Sequence, residues 1–175
     1  MKNHSLTIIA SGLDTGNLDY ASRFFEAGYD DSTNSLQKVL FVLEFDREAE
    51  TFEDALITAI RDVKKAGATV ERIEPDHLVS AADIAARAGV TRAAVSLYAS
   101  GKRGDGFPSP IARVTTDSPL WDWPEIAAWL VKHDKISSEQ AEEAFAIRDM
   151  NHAIIHAHHS RTETEKRFEA ELVAA

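Results

Sequence analysis

Residues 80–98 read Ser-Ala-Ala-Asp-Ile-Ala-Ala-Arg-Ala-Gly-Val-Thr-Arg-Ala-Ala-Val-Ser-Leu-Tyr, and few arrangements satisfy everything this stretch demands at once. Ser80 with Asp83 three residues later is a capping box that starts a helix. Ala85 is small where a second helix has to cross the first. Gly89, four residues on, supplies the positive φ of a tight turn without steric cost. Val90 tucks under that turn, Thr91 caps a second helix, and Val95 faces the first helix together with Ile84. An ordinary helical hairpin shares the apolar spacing. The caps and the small-Gly-aliphatic series at 85, 89 and 95 together point to a helix-turn-helix, whose second helix lies in the major groove of DNA.

That second helix is expected from Arg92 to about Ser100. Helical spacing turns Arg92, Ala93, Ser96, Tyr98 or Ala99, and Ser100 outward. Each suits a groove. Arg92 can donate two bonds to guanine, Ser96 can reach a base edge or a phosphate, and Ala93 can touch a thymine methyl. Thr91 and the free amides at the helix start suit a phosphate. Lys102 and Arg103, beyond Gly101, suit backbone phosphates, or else serve as solvated cations at a helix C-terminus.

Net charge bears on this reading. The chain carries −10, whereas phosphate contacts need lysine and arginine. From Arg87 to Arg113, however, five basic residues (Arg87, Arg92, Lys102, Arg103, Arg113) face the single acid Asp105. This stretch is locally +4, so the rest of the chain is at −14. An acidic body with one basic stretch confines DNA to one face.

The residues that follow, Gly104-Asp-Gly-Phe-Pro-Ser-Pro-Ile-Ala-Arg-Val-Thr-Thr-Asp-Ser-Pro-Leu-Trp-Asp-Trp-Pro-Glu-Ile-Ala-Ala-Trp-Leu, resemble the wing and third helix of the excisionase and MerR-type winged-helix families. Phe107-Pro108, Ile111 to Val114, Leu120-Trp121 and Asp122 to Leu130 fall in the order of the Phe-Pro turn, two-stranded hairpin, returning Trp and acidic-capped helix of those families. The resemblance covers about residues 80–132. It implies that Arg113 is a wing residue meeting phosphate or minor groove, and that Trp121, Ile126, Trp129 and Leu130 are core. Trp123 stands where those families more often have Arg or Lys.

Ahead of this segment, residues 1–76 suggest a small α+β unit. Leu6 to Gly12 reads as a strand, Leu18 to Ala27 as a helix closed by Gly28, and Leu36 to Phe45 as a second strand. Thr51 caps a helix with the stripe Phe52, Ala55, Leu56, Ala59, Ile60 and Val63, ended by Gly67. Ala68 to Ile73 gives a third strand. The resulting βαβαβ order is consistent with a ferredoxin-like sandwich. Gly12 and Gly16 match no phosphate loop, and Asp30-Asp31 and Glu44/Asp46 read as solvated charge.

Residues 134–175 form a helical extension from Ser137 onward, with Ser138 and Glu139 at its start and no Gly or Pro to the end. Its thin apolar seam (Ala141, Ala144, Phe145, Ile147, Ile154, Ile155, Phe168, Leu172) suits either a dimer contact or packing on the first unit. His152, His156 and His159 share one helical face. Without a fourth ligand they read as surface histidines rather than a zinc site.

The chain has no cysteine, which removes disulfides, thiolate zinc sites and a cysteine nucleophile. No secretory or membrane segment is evident, so a cytoplasmic protein is expected. With no cofactor motif and no catalytic constellation, the expectation is a non-enzymatic, dimeric, sequence-specific regulator binding double-stranded DNA through residues 77–133, with a possible protein partner on the acidic first unit. Two alternatives stand beside it: an antitoxin-like protein-interaction module, and an architectural or recombination accessory factor.

Overall fold

The computed structural model describes residues 1–12, 32–37, 40–158 and 162–173. It is a mixed α+β chain, built around two hydrophobic cores.

The first core lies under a four-stranded antiparallel sheet made of β1 (Lys2–Ser11), β2 (Ser32–Gln37), β3 (Leu40–Ala49) and β4 (Thr69–Glu74), in the order β2-β3-β1-β4. Alternation decides which face is covered. His4, Leu6, Ile8 and Ala10 of β1 and Phe41, Leu43, Phe45 and Ala49 of β3 are buried, whereas Ser5, Glu44, Asp46 and Glu48 between them are exposed. Helix α1 (Phe52–Lys65) lays Ala55, Leu56, Ala59 and Val63 on the covered face. Thr51 caps it by accepting from Asp54 N–H at 3.1 Å. At its end Ala68 N–H reaches Val63 O and Gly67 N–H reaches Lys64 O, a glycine-terminated Schellman ending. Arg47 ties β3 to this helix through Asp62 at 2.7 Å.

One expectation needs correction. The single strand read over Leu36 to Phe45 is instead two antiparallel strands, Gln37 facing Leu40 across their connection. Apolar residues stand on both sides of the reversal, Leu36 before it and Leu40 to Leu43 after it, so periodicity reads one strand where there are two. The helix read from Leu18 to Ala27, like Asp30-Asp31, lies outside the described residues.

The second core belongs to five short elements: β5 (Leu78–Val79), α2 (Ala81–Arg87), α3 (Arg92–Ala99), β6 (Trp121–Asp122) and α4 (Trp123–Lys132). Strand β5 pairs antiparallel with β6. Val79, Ile84, Val95, Ile126 and Leu130 are fully buried, with Tyr98, Trp121 and Trp129 around them. Burying side chains of this size stabilises by roughly 1.5–3 kcal/mol each.

Helix α5 (Ser138–His158) joins the two cores. Ala141 and Ala144 belong to the second, Ile147 and Ile154 to the first. Ser138 and Glu139 stand in its first turn, as expected, and a capping box of Ser137 with Gln140, bonded at 3.0 and 3.2 Å, starts it. The tail is not one continuous helix. A separate helix α6 (Glu163–Val173) begins at its own cap, where Thr162 Oγ1 accepts from Glu165 N–H and Glu165 Oε2 from Thr162 N–H. That Thr-x-x-Glu signature was present in the sequence. The seam splits accordingly: the α5 half is mostly in the cores, whereas Phe168 and Leu172 of α6 are exposed. Among the described residues no helix is long and apolar enough to cross a membrane.

Candidate nucleic-acid interface

The geometry begins with the connection between α2 and α3. Ser80 accepts from Asp83 N–H at 3.3 Å and Asp83 accepts from Ser80 N–H at 2.8 Å, closing the box at the start of α2. Ser80 Oγ also donates to Asp83 Oδ2 at 2.6 Å, and this bond, together with that of the Ser80 N–H, holds the Asp83 carboxyl below its ordinary range. At the other end Val90 N–H reaches Ala85 O and Gly89 N–H reaches Ala86 O, with Gly89 at φ +62°. Ala85 thus serves the turn twice: its carbonyl closes the ending, and its small side chain lies buried in the core. Val90 is half-buried against that core. Thr91 caps α3 by accepting from Ala94 N–H at 3.1 Å.

Helix α3 buries Val95 and Tyr98 and exposes Arg92, Ala93, Ser96, Leu97 and Ala99. Of the two outward candidates Tyr98 and Ala99, it is therefore Ala99 that faces out. Tyr98 stacks among Phe107 and Trp129, with ring centroids 5.9 and 5.0 Å away. Leu97, 40% exposed, is on the open side and was missing from the residues picked out by sequence. Ser100 is the C-terminal cap residue and is exposed. Lys102 and Arg103 follow, both exposed, and the Arg103 guanidinium lies 5.7 Å from the Tyr98 ring centre.

Residues 104–110 are held by two indoles. Trp129 Nε1 donates to Asp105 O at 2.9 Å and Trp121 Nε1 to Pro108 O at 3.1 Å. Gly104 has φ +71°, and a Cβ there would sit 2.7 Å from Trp129 Cζ2, so only glycine fits the approach. The segment expected to form a wing is less regular than a two-stranded hairpin. One bridge, Ala112 with Leu120, closes the loop. Arg113 ends the pairing because its φ is +52°, a left-handed conformation costing a non-glycine residue roughly 1–3 kcal/mol. Thr116 closes the tip by donating its N–H and Oγ1 to Arg113 O at 3.0 and 2.9 Å. Ile111 and Val114, beside Arg113, are about 60% exposed (60% and 63%).

Two members of the segment work elsewhere than the sequence suggests. Arg87, counted with the basic stretch, turns away from α3: its guanidinium lies 5.2 Å from the Trp123 ring centre, and Nη2 donates to Asp76 O at 2.9 Å. Four cations, Arg92, Lys102, Arg103 and Arg113, then remain exposed. Asp122 does not cap α4 with its side chain. It is buried and accepts from Arg148 Nη1 of α5 at 2.9 Å. Trp121, Ile126, Trp129 and Leu130 are core, and so is Trp123.

Sequence reasoning also missed Asn151. Buried in α5, it accepts from Ile73 N–H at 2.7 Å and donates to Ile73 O at 2.9 Å, pinning the helix to the edge strand β4. The signal was its place on the apolar stripe, four residues after Ile147 and three before Ile154. His152 stands edge-on to His77, 5.7 Å between ring centres; His156 is exposed, and His159 lies outside the described residues. Among the described residues no group of three His, Cys, Asp or Glu is placed to hold a metal ion.

Compared with known proteins, the chain matches no family model, no curated protein and no solved structure.

Proposed function

We propose that residues 77–133 are a winged helix-turn-helix and that the chain is a sequence-specific DNA-binding regulator acting as a dimer. The observation that carries this reading is the exposed face of α3. It is a short, capped helix with a buried inner side, an outer side of Arg92, Ala93, Ser96 and Ser100, and cations at one end and on the neighbouring loop. A helix of that kind fits the major groove, with Arg92 as the guanine reader. Thr91 lies at the N-terminus beside the free amides, where a phosphate is favoured. Lys102, Arg103 and Arg113 are the backbone contacts, Arg113 from the wing. Four cations per chain make a small electrostatic footprint. Two copies on an inverted repeat would double it, hence the dimer. For the first unit, the antiparallel order β2-β3-β1-β4 supports a ferredoxin-like arrangement.

A second reading has an observation of its own. Leu97 on α3 and Ile111 and Val114 flanking Arg113 add exposed apolar side chains to the segment that carries the cations, which suits an antitoxin-like body that grips a protein.

Selection of bound fragments from a genomic library at two salt concentrations, with Arg92→Ala in parallel, separates the two. Enrichment of one short motif that weakens with salt and vanishes in the variant is the expected result. No enriched motif at low salt would sink the DNA-binding reading and favour the protein partner.

A further inference from the structure

Strand β1 outruns its neighbour. Among the described residues β4 ends with Glu74 opposite Thr7, so from Leu6 back to Lys2 that edge of β1 has no strand beside it. The pin at Asn151 shows which backbone groups this leaves open. Ile73 turns its N–H and C=O outward to Asn151 at 2.7 and 2.9 Å, so Ile73 and Ile8 are a pair that exchanges no bonds, and Ile8 turns to β3. Thr7 therefore faces β4, and further back Ser5 and Asn3 turn their N–H and C=O to the same edge. Among the described residues no bond reaches the Ser5 or Asn3 backbone there.

Helix α5 runs beside this edge and is tied at both ends, Asn151 to Ile73 and Glu139 to Lys2 at 2.8 Å. Glu139 to Asn151 is about 18 Å at the helical rise, and Lys2 to Ile8, the partner of Ile73, is about 20 Å at the strand rise. Helix and strand thus lie alongside each other with a slot between them. β4 fills one half of it. The other half is open as a cleft of about 790 Å³, with Ser5, Leu6 and Thr7 on one side and Glu143, Ala144 and Ile147 on the other. Since β4 fits the same slot, the open half has the width of one strand. An unpaired strand edge of this kind is a template for another chain.

Alternation decides what an added strand would bring. Residues opposite Leu6 and His4 would point with them to the covered face, where Phe45, Phe52 and Ile147 line the cleft. Residues opposite Ser5 and Asn3 would point to the open face, on which Glu44, Asp46 and Glu48 of β3 are exposed. Asp46 already accepts from Ser5 Oγ at 2.5 Å, but a carboxylate has about four acceptor positions. Glu74 and Glu143 add to the acidic lining, against a single arginine, Arg87, which is turned to Trp123 and Asp76 O. Such a field repels a phosphate or an acidic peptide and draws in a basic one. We propose that the cleft takes an extended segment of a partner protein, paired antiparallel with β1 in continuation of β4, with lysine or arginine at its outward positions and aliphatic residues at its inward ones. Neither β1 nor α5 belongs to residues 77–133, so this site stands apart from the DNA-binding reading.

The test is an NMR titration of the full chain, without DNA, with the end-capped peptide Val-Lys-Val-Lys-Val. Saturable binding is expected, and with it a gain of amide protection at Ser5 and Asn3, taken relative to the intrinsic exchange rate. His4 and Leu6, whose N–H groups turn to β3, should not change. The same peptide methylated on its lysine amide nitrogens, which would face β1, should bind about tenfold or more weakly because a strand bond is lost and its acceptor left unpaired. Val-Glu-Val-Glu-Val should lose at least as much to like charge. Ser5→Pro removes the N–H at an edge position that accepts proline and should weaken the lysine peptide by a similar factor, whereas Ser5→Ala should leave it unchanged. Should Ser5→Pro fail to fold, the methylated peptide decides alone. No saturable binding, or a methylated or glutamate peptide that binds as tightly as the first, overturns the proposal. So does protection of Ser5 and Asn3 that rises with protein concentration in the absence of peptide, which would put a second copy in the cleft. Because DNA is absent, no outcome touches the DNA-binding reading.

Discussion

The two cores are filled by different means. Under the sheet, aliphatic side chains and phenylalanines pack between long ladders and two helices, and the backbone is satisfied strand to strand. The second core has strands of only two residues. There, rings do what ladders do elsewhere: the Trp121 and Trp129 indoles bond loop carbonyls, and Phe107 stands edge-on to Trp129 at 5.0 Å. A module held by caps and rings needs only the inner side of α3, Val95 and Tyr98, and leaves its outward side chains out of the core. On β1 and β3, by contrast, the exposed residues between the buried positions are carboxylates and a hydroxyl: Ser5, Glu44, Asp46 and Glu48.

The largest effect should come from asking whether these cores are energetically separate. All three tryptophans are in the second, so indole fluorescence reads that core alone, while β-sheet circular dichroism reads the first. Leu130→Ala should cost about 2–5 kcal/mol. Because α5 contributes to both cores, urea unfolding followed by the two probes should shift together. Separate midpoints would break the picture of one coupled structure. Next in size, Asn151→Ala leaves the Ile73 N–H and C=O unpaired and should cost roughly 2–4 kcal/mol. If the pin couples the cores, the two unfolding curves should also draw apart in this variant.

How far sequence alone reaches also divides along these lines. In the second unit, Ser80, Ala85, Gly89, Thr91 and Val95 act within a few residues of one another, and their spacing carries the turn. In the first, the reversal between Gln37 and Leu40 depends on strands finding each other across the fold, and an apolar run does not record it. The same limit applies to Arg87 and Asp122. Nothing local shows that a cation beside the turn will face Trp123, or that an N-cap aspartate will be claimed by Arg148, 26 residues away. The α3 face was largely legible, Leu97 excepted. The cleft was not, since its walls come from both ends of the chain.

Smaller effects sharpen the contrast between a structural and an outward-facing residue. Arg92→Ala should lower affinity for the selected DNA site by about 1–3 kcal/mol and relax one base position, with stability unchanged. Lys102→Ala should instead weaken all sequences alike, lowering the salt slope by about 0.9. Arg113→Gly should move two measurements in opposite directions: an unfolding free energy raised by about 0.5–1 kcal/mol as the left-handed strain is relieved, and weaker DNA binding. A variant that loses stability as well would show the residue to be structural.

The smallest effect concerns pH. The Asp83 carboxyl is held low mainly by its bond to Ser80, so its contribution to the cap is complete above the ordinary aspartate range and fades as pH falls through the depressed folded value. Amide protection at Asp83 and Ser80, taken relative to the intrinsic exchange rate at each pH, should therefore fall in acid while α3 stays protected. Equal loosening of both helices would mean the box is not what starts α2.

Helix α5 has 21 residues, a rod of about 31 Å at the usual rise. With one stretch seated among the tryptophans and another pinned to β4, it is common property of the two cores. A gene fragment ending before it would encode a sheet lacking one of its covering helices and a turn module lacking its floor. The piece that evolution or an engineer can move intact is therefore not the second core alone but the pair of cores with the rod between them, and any relative carrying one core without the other should show a substitute for that rod.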